Sequence, residues 1–277
     1  MADTDVRLRP RKKGLTRSQK RRLSRGVQYA VFVAAVIAVA VTADWGRLQN
    51  QFAQPDIARQ MFPDVLTLAL KNTVLYTVSG FVLGVALGLV VALMRLSSVG
   101  PYRWVASVYI EVFRGLPALL IFVFIAVAVP LAFPGTEIPG GTYGKAALGL
   151  GLIGAAYMAE TFRAGIQAVP KGQMEAARSL GFSPARAMVS IIIPQAFRII
   201  LPPLTNEFIM LFKDSSLVLL LGVTLEEREL SKFGRDLAST TANSTPILVA
   251  GLCYLLVTIP LGFVVRRMEA KAQEAVK

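Results

Sequence analysis

The apolar positions of this chain fall in long blocks, not in the alternating or roughly 3.6-residue stripes of half-buried strands and helices. Stretches free of Asp, Glu, Lys and Arg run over 26–43, 72–94, 115–136, 146–159 and 237–265. Several approach or exceed the roughly 18–20 residues that carry a helix across the hydrocarbon core. The Val and Ile runs are too long and unbroken for the alternating strands of a membrane barrel. The pattern predicts an all-α integral membrane protein with six spans, near 27–43, 66–94, 108–133, 146–168, 203–225 and 246–265.

Composition sharpens this. Of 277 residues, 54% are hydrophobic and only 17% charged, where a soluble domain is about a quarter charged. There is no histidine, which removes imidazole general-base catalysis, Ser-His triads and His-ligated metals. The lone Cys253 sits inside an apolar block; it allows no disulfide framework or CxxC pair, and small hydrophobic filler is its expected role.

The net charge of +13 is unevenly spread: ten of the 30 Lys and Arg lie in residues 1–26, leaving that segment at +8 after Asp3 and Asp5. A disordered cytoplasmic tail touching anionic lipid is the expectation. Nucleic acid is not expected as a partner, because no aromatic residues interleave the basic ones. Val41-Thr42-Ala43 resembles a signal cleavage site, but the basic region is long for a signal peptide, and a retained signal-anchor helix is favoured. Further along, net charge is −1 over 44–64, +2 over 95–114, zero over 134–145, +4 over 163–198, −1 over 226–236 and +2 over 266–277. These signs alternate as they should if six helices cross and both termini are cytoplasmic.

Within the blocks, Gly80, Gly84 and Gly88 line one helix face and permit close approach of a neighbouring backbone. Gly149-Leu150-Gly151-Leu152-Ile153-Gly154 spells the dinucleotide fingerprint but lacks the strand it must follow, so helix packing is its expected role. No GxxxxGK[ST] loop exists, and neither a cofactor nor a metal site is expected. The fifth block is interrupted by Asn206, Glu207, Lys213 and Asp214. At about 100° per residue, Asn206 aligns with Lys213, and Glu207 with Asp214, to within about 20°. Ionised groups at that depth either brace helices against one another or line a wet path, and the spacing leaves both open. Glu160 and Arg163, like Glu111 and Arg114, are spaced for intrahelical ion pairs. For Glu160 the alternative is to face a substrate. Pro117 should open or bend the third span.

Between the fourth and fifth blocks, 170–185 forms a charged loop in which Gln173–Leu180 is predicted helical and stopped by Gly181 and Pro184. Its residues Glu175-Ala176-Ala177, then Gly181, then Ile191, Ile193 and Pro194, resemble the coupling motif of bacterial ABC importer membrane subunits, with Ile193 in place of the usual Leu. Tyr157–Ile166, Asn206–Ile209, Lys213–Leu217 and Glu111–Pro117 (Leu116 where Thr is common) are similar to the polar amino acid branch, the histidine/glutamine-type permeases.

The resemblance covers roughly 65–267 and implies a type I importer permease core of five transmembrane helices, here with one extra N-terminal helix. On this basis the chain divides into a tail (1–26), an extra span with its outer loop (27–64), the permease domain (65–267) with the coupling loop (170–185), and a cytoplasmic end (268–277). It further implies a second permease subunit, two cytoplasmic ABC ATPases that hydrolyse the ATP, and an extracytoplasmic amino acid-binding protein. Glu175, Ala176, Ala177 and Gly181 would dock on the ATPase, while Glu160, Asn206, Glu207, Lys213, Asp214 and Ser215 are the candidates for the substrate path. An ion-coupled secondary transporter using Glu207, Lys213 and Asp214 as a relay is the alternative, for which the coupling loop would have no use.

Overall fold

The computed structural model describes residues 17–274, which form helices and connecting turns throughout. The basic positions expected to form a tail up to residue 16 lie outside the described residues. Contacts divide the chain into two units, one through Asn50 and one from Gln51.

In the first unit, α1 spans Arg17–Thr42. Residues 17–26, expected to be part of a disordered tail, are helical. Gln, Lys, Arg and Leu are strong helix formers, and a helix nucleated by the apolar segment extends into them at little cost. None of the apolar stretch of α1 is buried. At its end, Trp45 Nε1 donates to Ala40 O at 2.7 Å, satisfying a carbonyl that the helix leaves open, and Thr42 Oγ1 donates to Ala38 O at 2.6 Å. Helix α2 (Trp45–Phe52) leads out of this unit.

The second unit begins with α3 (Pro55–Gln60), then a π-helical turn (Val65–Leu70) that runs into α4 (Lys71–Leu96). Next come α5 (Gly100–Gly115), α6 (Ala118–Val123) and, after a wide turn, α7 (Val129–Ala132). They are followed by α8 (Gly141–Ala168), α9 (Lys171–Ser179), α10 (Pro184–Ala187) and α11 (Ile193–Asp214). A 3₁₀ segment (Ser215–Leu221), α12 (Leu230–Thr241) and α13 (Thr245–Glu274) complete it.

By length and composition four helical stretches can cross a membrane, 20–42, 65–96, 184–221 and 245–271, and a fifth arises if α5 and α6–α7 count as one span. Helix α8 is long enough, with 28 residues, but carries Lys145, Glu160 and Arg163.

Two predicted spans differ in detail. The third is not continuous over 108–133: the chain turns by 104° between Gly115 and Ala118. Pro117 excludes the residue before it from the helical region, and Leu116 accordingly sits at φ −85°, ψ 138°. The fifth starts nearer 184 than 203, because the helix runs through Arg186, Arg198 and both Pro202 and Pro203. It ends at Leu221 rather than 225, where Gly222 adopts φ 74°. Pro184, expected to stop a helix, opens one at its first turn, the position where its missing N–H is harmless.

The core is an interlock of α4 and α8. A Cβ on Gly88 would stand 3.0 Å from Ala155 O, and one on Gly151 2.8 Å from Leu83 Cδ2; Gly80 abuts Leu150. The glycines of the apparent fingerprint are therefore contact points inside a helix. Across the other side of α8, Gly154 accommodates Leu211 and Gly165 accommodates Ile200, both on α11.

At the end of the bundle away from α9, a polar network locks the 222–229 loop onto α4. Asn72 Nδ2 donates to Glu226 O (2.7 Å) and Arg228 O (3.1 Å), Tyr143 Oη to Asn72 Oδ1 (2.8 Å), and Tyr76 Oη to Glu227 O (2.8 Å). Fully buried Glu229 caps α12, accepting from Ser231 N at 2.5 Å and Lys232 N at 2.6 Å.

Candidate functional site

Two places carry the sequence-predicted residues. The first is α9. Its end is a left-handed cap: Gly181 has φ 85°, and Leu180 N, Gly181 N and Phe182 N donate to Ala176 O, Arg178 O and Ala177 O at 3.0–3.1 Å. Glycine is suited here because a side chain strains this conformation by about 1 kcal/mol. Ser183 Oγ then accepts from Arg186 N, starting α10 at once. Glu175, Ala176 and Gly181 are exposed. Ala177 is not: it is 2% exposed and faces the body of the protein. A small buried residue is what lets the short helix lie close to its support. Gln195 Nε2 donates to Gln173 Oε1 at 3.3 Å, fastening α9 to α11. Leu180, not singled out in the sequence, is 78% exposed beside Gly181. An apolar residue between a helix end and a turn glycine was the available signal.

The second place is the polar part of α11 and what faces it. A cavity of ≈ 490 Å³ is lined by Arg114 at the end of α5, by Tyr157, Glu160 and Thr161 of α8, and by Ile199, Pro203 and Glu207 of α11. The break at Leu116–Pro117 leaves Arg114 at a helix terminus. Pro202 and Pro203 cannot donate to the carbonyls of Arg198 and Ile199, which therefore lack their usual intrahelical donors on the α11 turn that borders the cavity.

The expected Glu111–Arg114 ion pair is not formed: the Arg114 guanidinium instead lies 5.3 Å from the centre of the Tyr157 ring, a cation–π arrangement that is worth more away from water. The Glu160–Arg163 pair is formed, with Arg163 Nη2 at 2.7 Å and Nε at 3.1 Å from Glu160 Oε2, and Arg163 Nη1 donating to Gln167 Oε1. Thus Glu160 lines the cavity while neutralised. Glu207 lines it without an ion-pair or hydrogen-bond partner among the described residues.

The remaining candidates are elsewhere. Pro203, Asn206, Met210 and Lys213 form an exposed stripe along α11. No Lys213–Asp214 ion pair or Asn206–Glu207 hydrogen bond is present among the described residues, so these groups do not form the internal brace that was one of their two readings. Ser215 is fully buried, its hydroxyl donating to Phe212 O at 2.7 Å; it closes the helix end rather than lining an open path. Arg114 and Tyr157 were missed as walls of the cavity that Glu207 lines because the three stand on separate helices, and only the chain break at Pro117 hinted that Arg114 ends in a cavity.

Residues 84–274 match the family of binding-protein-dependent transport system inner membrane components. The chain is 38% identical over 215 residues to the probable glutamine ABC transporter permease protein GlnM of Bacillus subtilis, covering 78% of this chain and 94% of that one. It is 37% identical over 243 residues to the arginine transport system permease protein ArgU of Corynebacterium glutamicum, covering 82% and 75%. A crystal structure of an amino acid ABC transporter with histidines superposes with a TM-score of 0.65 at 37% identity, covering 73% of this chain and 92% of that one.

Proposed function

Since this chain belongs to the family of binding-protein-dependent transport system inner membrane components, and is the non-catalytic permease subunit of a polar amino acid ABC importer in the bacterial inner membrane, we propose how its two sites divide the work. Five spans, including α8 and the bent α5–α7 pair, make the permease core, with α1 as an additional lipid-facing span. Both termini and α9 lie in the cytoplasm, a reading supported by the alternating loop charges.

Glu175, Ala176, Leu180 and Gly181 form the surface an ATPase subunit grips, and Ala177 seats the helix so that the grip is transmitted to α11. The ATPase supplies the energy; this chain supplies the lever and the path. The exposed stripe Pro203–Asn206–Met210–Lys213 mixes polar and charged groups at membrane depth, where lipid is a poor neighbour; a second permease subunit suits it better. On the far side an amino acid-binding protein delivers substrate. Family membership leaves the ion-relay alternative without a role.

One observation carries the substrate reading: opposite charges, Arg114 and Glu207, line a single cavity with Glu160 already neutralised. Such a site takes a zwitterion, carboxylate toward Arg114 and ammonium toward Glu207, and leaves side-chain choice to the rest of the wall. That GlnM is named for a neutral amino acid and ArgU for a cationic one accords with recognition of the groups every amino acid shares. Arg114→Gln and Glu207→Gln should each abolish uptake by the reconstituted complex while the ATPase still co-purifies. Uptake unchanged in both variants would overturn the assignment.

A further inference from the structure

A second cavity, of ≈ 410 Å³, opens at the other end of α8. Its wall includes Glu137, Thr142 and Lys145 from the start of α8 and the turn before it, and Gly222, Thr224 and Glu227 from the loop that follows the 3₁₀ segment. Lys145 is only part-exposed, yet makes no ion pair within 4.0 Å among the described residues. Glu227 is close enough to respond to its charge but is committed elsewhere, with Oε2 accepting from Thr224 N at 3.0 Å and Thr224 Oγ1 at 2.9 Å. Helix α8 starts on left-handed Gly140 with no side-chain cap; Gly141 N donates back to Ile138 O at 3.1 Å, and the next N–H groups of the first turn and the positive end of the helix dipole add to the ammonium. Glu137, on the exposed rim, is the opposite charge without an ion-pair partner.

The wall is rigid as well as charged. Tyr143 holds Asn72, Asn72 holds the carbonyls of Glu226 and Arg228, and Tyr76 holds that of Glu227. A site whose supports are fixed before the ligand arrives loses little to ordering on binding.

Both cavities lie along α8. Lys145 and Glu160 are fifteen positions apart, which is about 22 Å along the axis and a return to within about 60° of the same azimuth. Gly149, Leu152 and Ala156 occupy the stripe between them and carry no charge.

We propose that the outer cleft is a second station for the transported amino acid, holding its carboxylate on Lys145 and the α8 N-terminus and its ammonium on Glu137, ahead of the Arg114–Glu207 cavity. This rests on the reading that the end of α8 bearing Lys145 faces the binding protein. A substrate released there is held by charges that match it until the apolar stretch opens toward the inner cavity.

The test uses the whole complex in nanodiscs without binding protein. In a Cys253→Ala background, Thr142→Cys within the cleft reports its occupancy through modification by the anionic 2-sulfonatoethyl methanethiosulfonate; Thr136→Cys on the exposed rim is a second reporter should the first disturb folding. Co-purification of the ATPase checks assembly of each variant. An equimolar mixture of L-amino acids should slow modification about tenfold once roughly nine-tenths of sites are filled, and the corresponding amino acid amides, which lack the carboxylate, should not. Lys145→Gln should remove the protection, and Glu207→Gln in the inner cavity should leave it. Unaltered labelling in the mixture at both reporters overturns the station. So does protection given only by added binding protein, which would make the cleft a docking contact, or protection that disappears with Glu207→Gln. Uptake by the complex with its binding protein, measured separately, reports on the permease reading itself, so the two can fail independently.

Discussion

Tyr254 Oη, on α13, donates to Glu229 Oε2 at 2.9 Å, so that the cap of α12 is tied directly to the last long helix. Glu229 is fully buried. Desolvation pushes its carboxyl up to about 7 from the ordinary 4.5, against the pull of the Ser231 and Lys232 N–H groups and the Tyr254 hydroxyl.

A stability profile follows from that burial. Between 4.5 and about 7 the folded chain holds a proton on Glu229 that the unfolded chain has released, so this group makes the protein less stable as pH rises through that window, with no further change above it. The size is on the order of 3 kcal/mol as an upper bound. Glu227 acts in the opposite sense: hydrogen bonds from the Thr224 backbone first, and from the Thr224 and Thr142 hydroxyls, hold its carboxyl below the ordinary value. Its contribution is present at neutral pH and is lost on acidification, but it is small because solvent screens the group. Thermal unfolding in detergent should therefore give a higher midpoint at about pH 5 than at about pH 8. Glu229→Gln should flatten the difference: the variant is weaker than the parent in acid, having one acceptor oxygen for two N–H donors, and stronger in base, having no charge to bury. A parent midpoint that climbs from acid to base would contradict this.

The α4–α8 interlock gives a prediction about assembly. At Gly88 a new Cβ meets Ala155 O at 3.0 Å and Met158 Cβ at 3.0 Å, both on a buried helix. Gly88→Ala requires a shift of a few tenths of an ångström, while Gly88→Val forces the helices apart at a cost of about 1–3 kcal/mol. Gly251 of α13 has open space around it, so Gly251→Val serves as the control. On size-exclusion chromatography Gly88→Val should aggregate and Gly251→Val should run as the parent.

The parts of this architecture that were legible in the sequence are the local ones. The α9 motif is contiguous, its stop is a single glycine, and the 115–117 break follows from what proline does to the residue before it. The limits of the fifth span were not legible, because Arg186 and Arg198 read as a water boundary although they ride on a helix continuous with the span. Arg114 was assigned to Glu111 since helical spacing is visible in one dimension; that its charge goes to Tyr157 and the cavity depends on the 104° turn. Likewise the outer cleft joins the start of α8 to a loop some eighty residues later, and Asn72 and Tyr76, which hold that loop, lie within an apolar block, where they read as ordinary membrane residues.

The α9 surface makes a prediction that separates gripping from folding. Glu175 and Leu180 are exposed and their side chains make no hydrogen bond or ion pair among the described residues, so Glu175→Lys with Leu180→Ser should leave the protein inserted and monodisperse while the ATPase no longer co-elutes. Ala177, at 2% exposed, is the contrasting position: Ala177→Leu overfills the space beneath α9 and should lower the thermal midpoint as well. Retained ATPase in the first variant would remove the docking role from this surface.

The exposed stripe on α11 supplies the last prediction. Met210 is 45% exposed, midway between Asn206 and Lys213 on the same face. Leaving Lys213 to lipid costs on the order of 3 kcal/mol on insertion scales, and a partner helix that hydrates or pairs it removes that cost. If the partner is a second copy, related by a two-fold axis, then residues along the stripe face their own counterparts. With Cys253→Ala removing the native thiol, Met210→Cys should then form a disulfide-linked dimer on mild oxidation, whereas Leu256→Cys, on an apolar face of α13 and 65% exposed, should not. A cross-link from Met210→Cys to a distinct permease chain would place the stripe at a heterodimer interface. Equal cross-linking at both positions, or at neither, would mean that this face of α11 meets lipid after all, and the charge on Lys213 would then need a different partner.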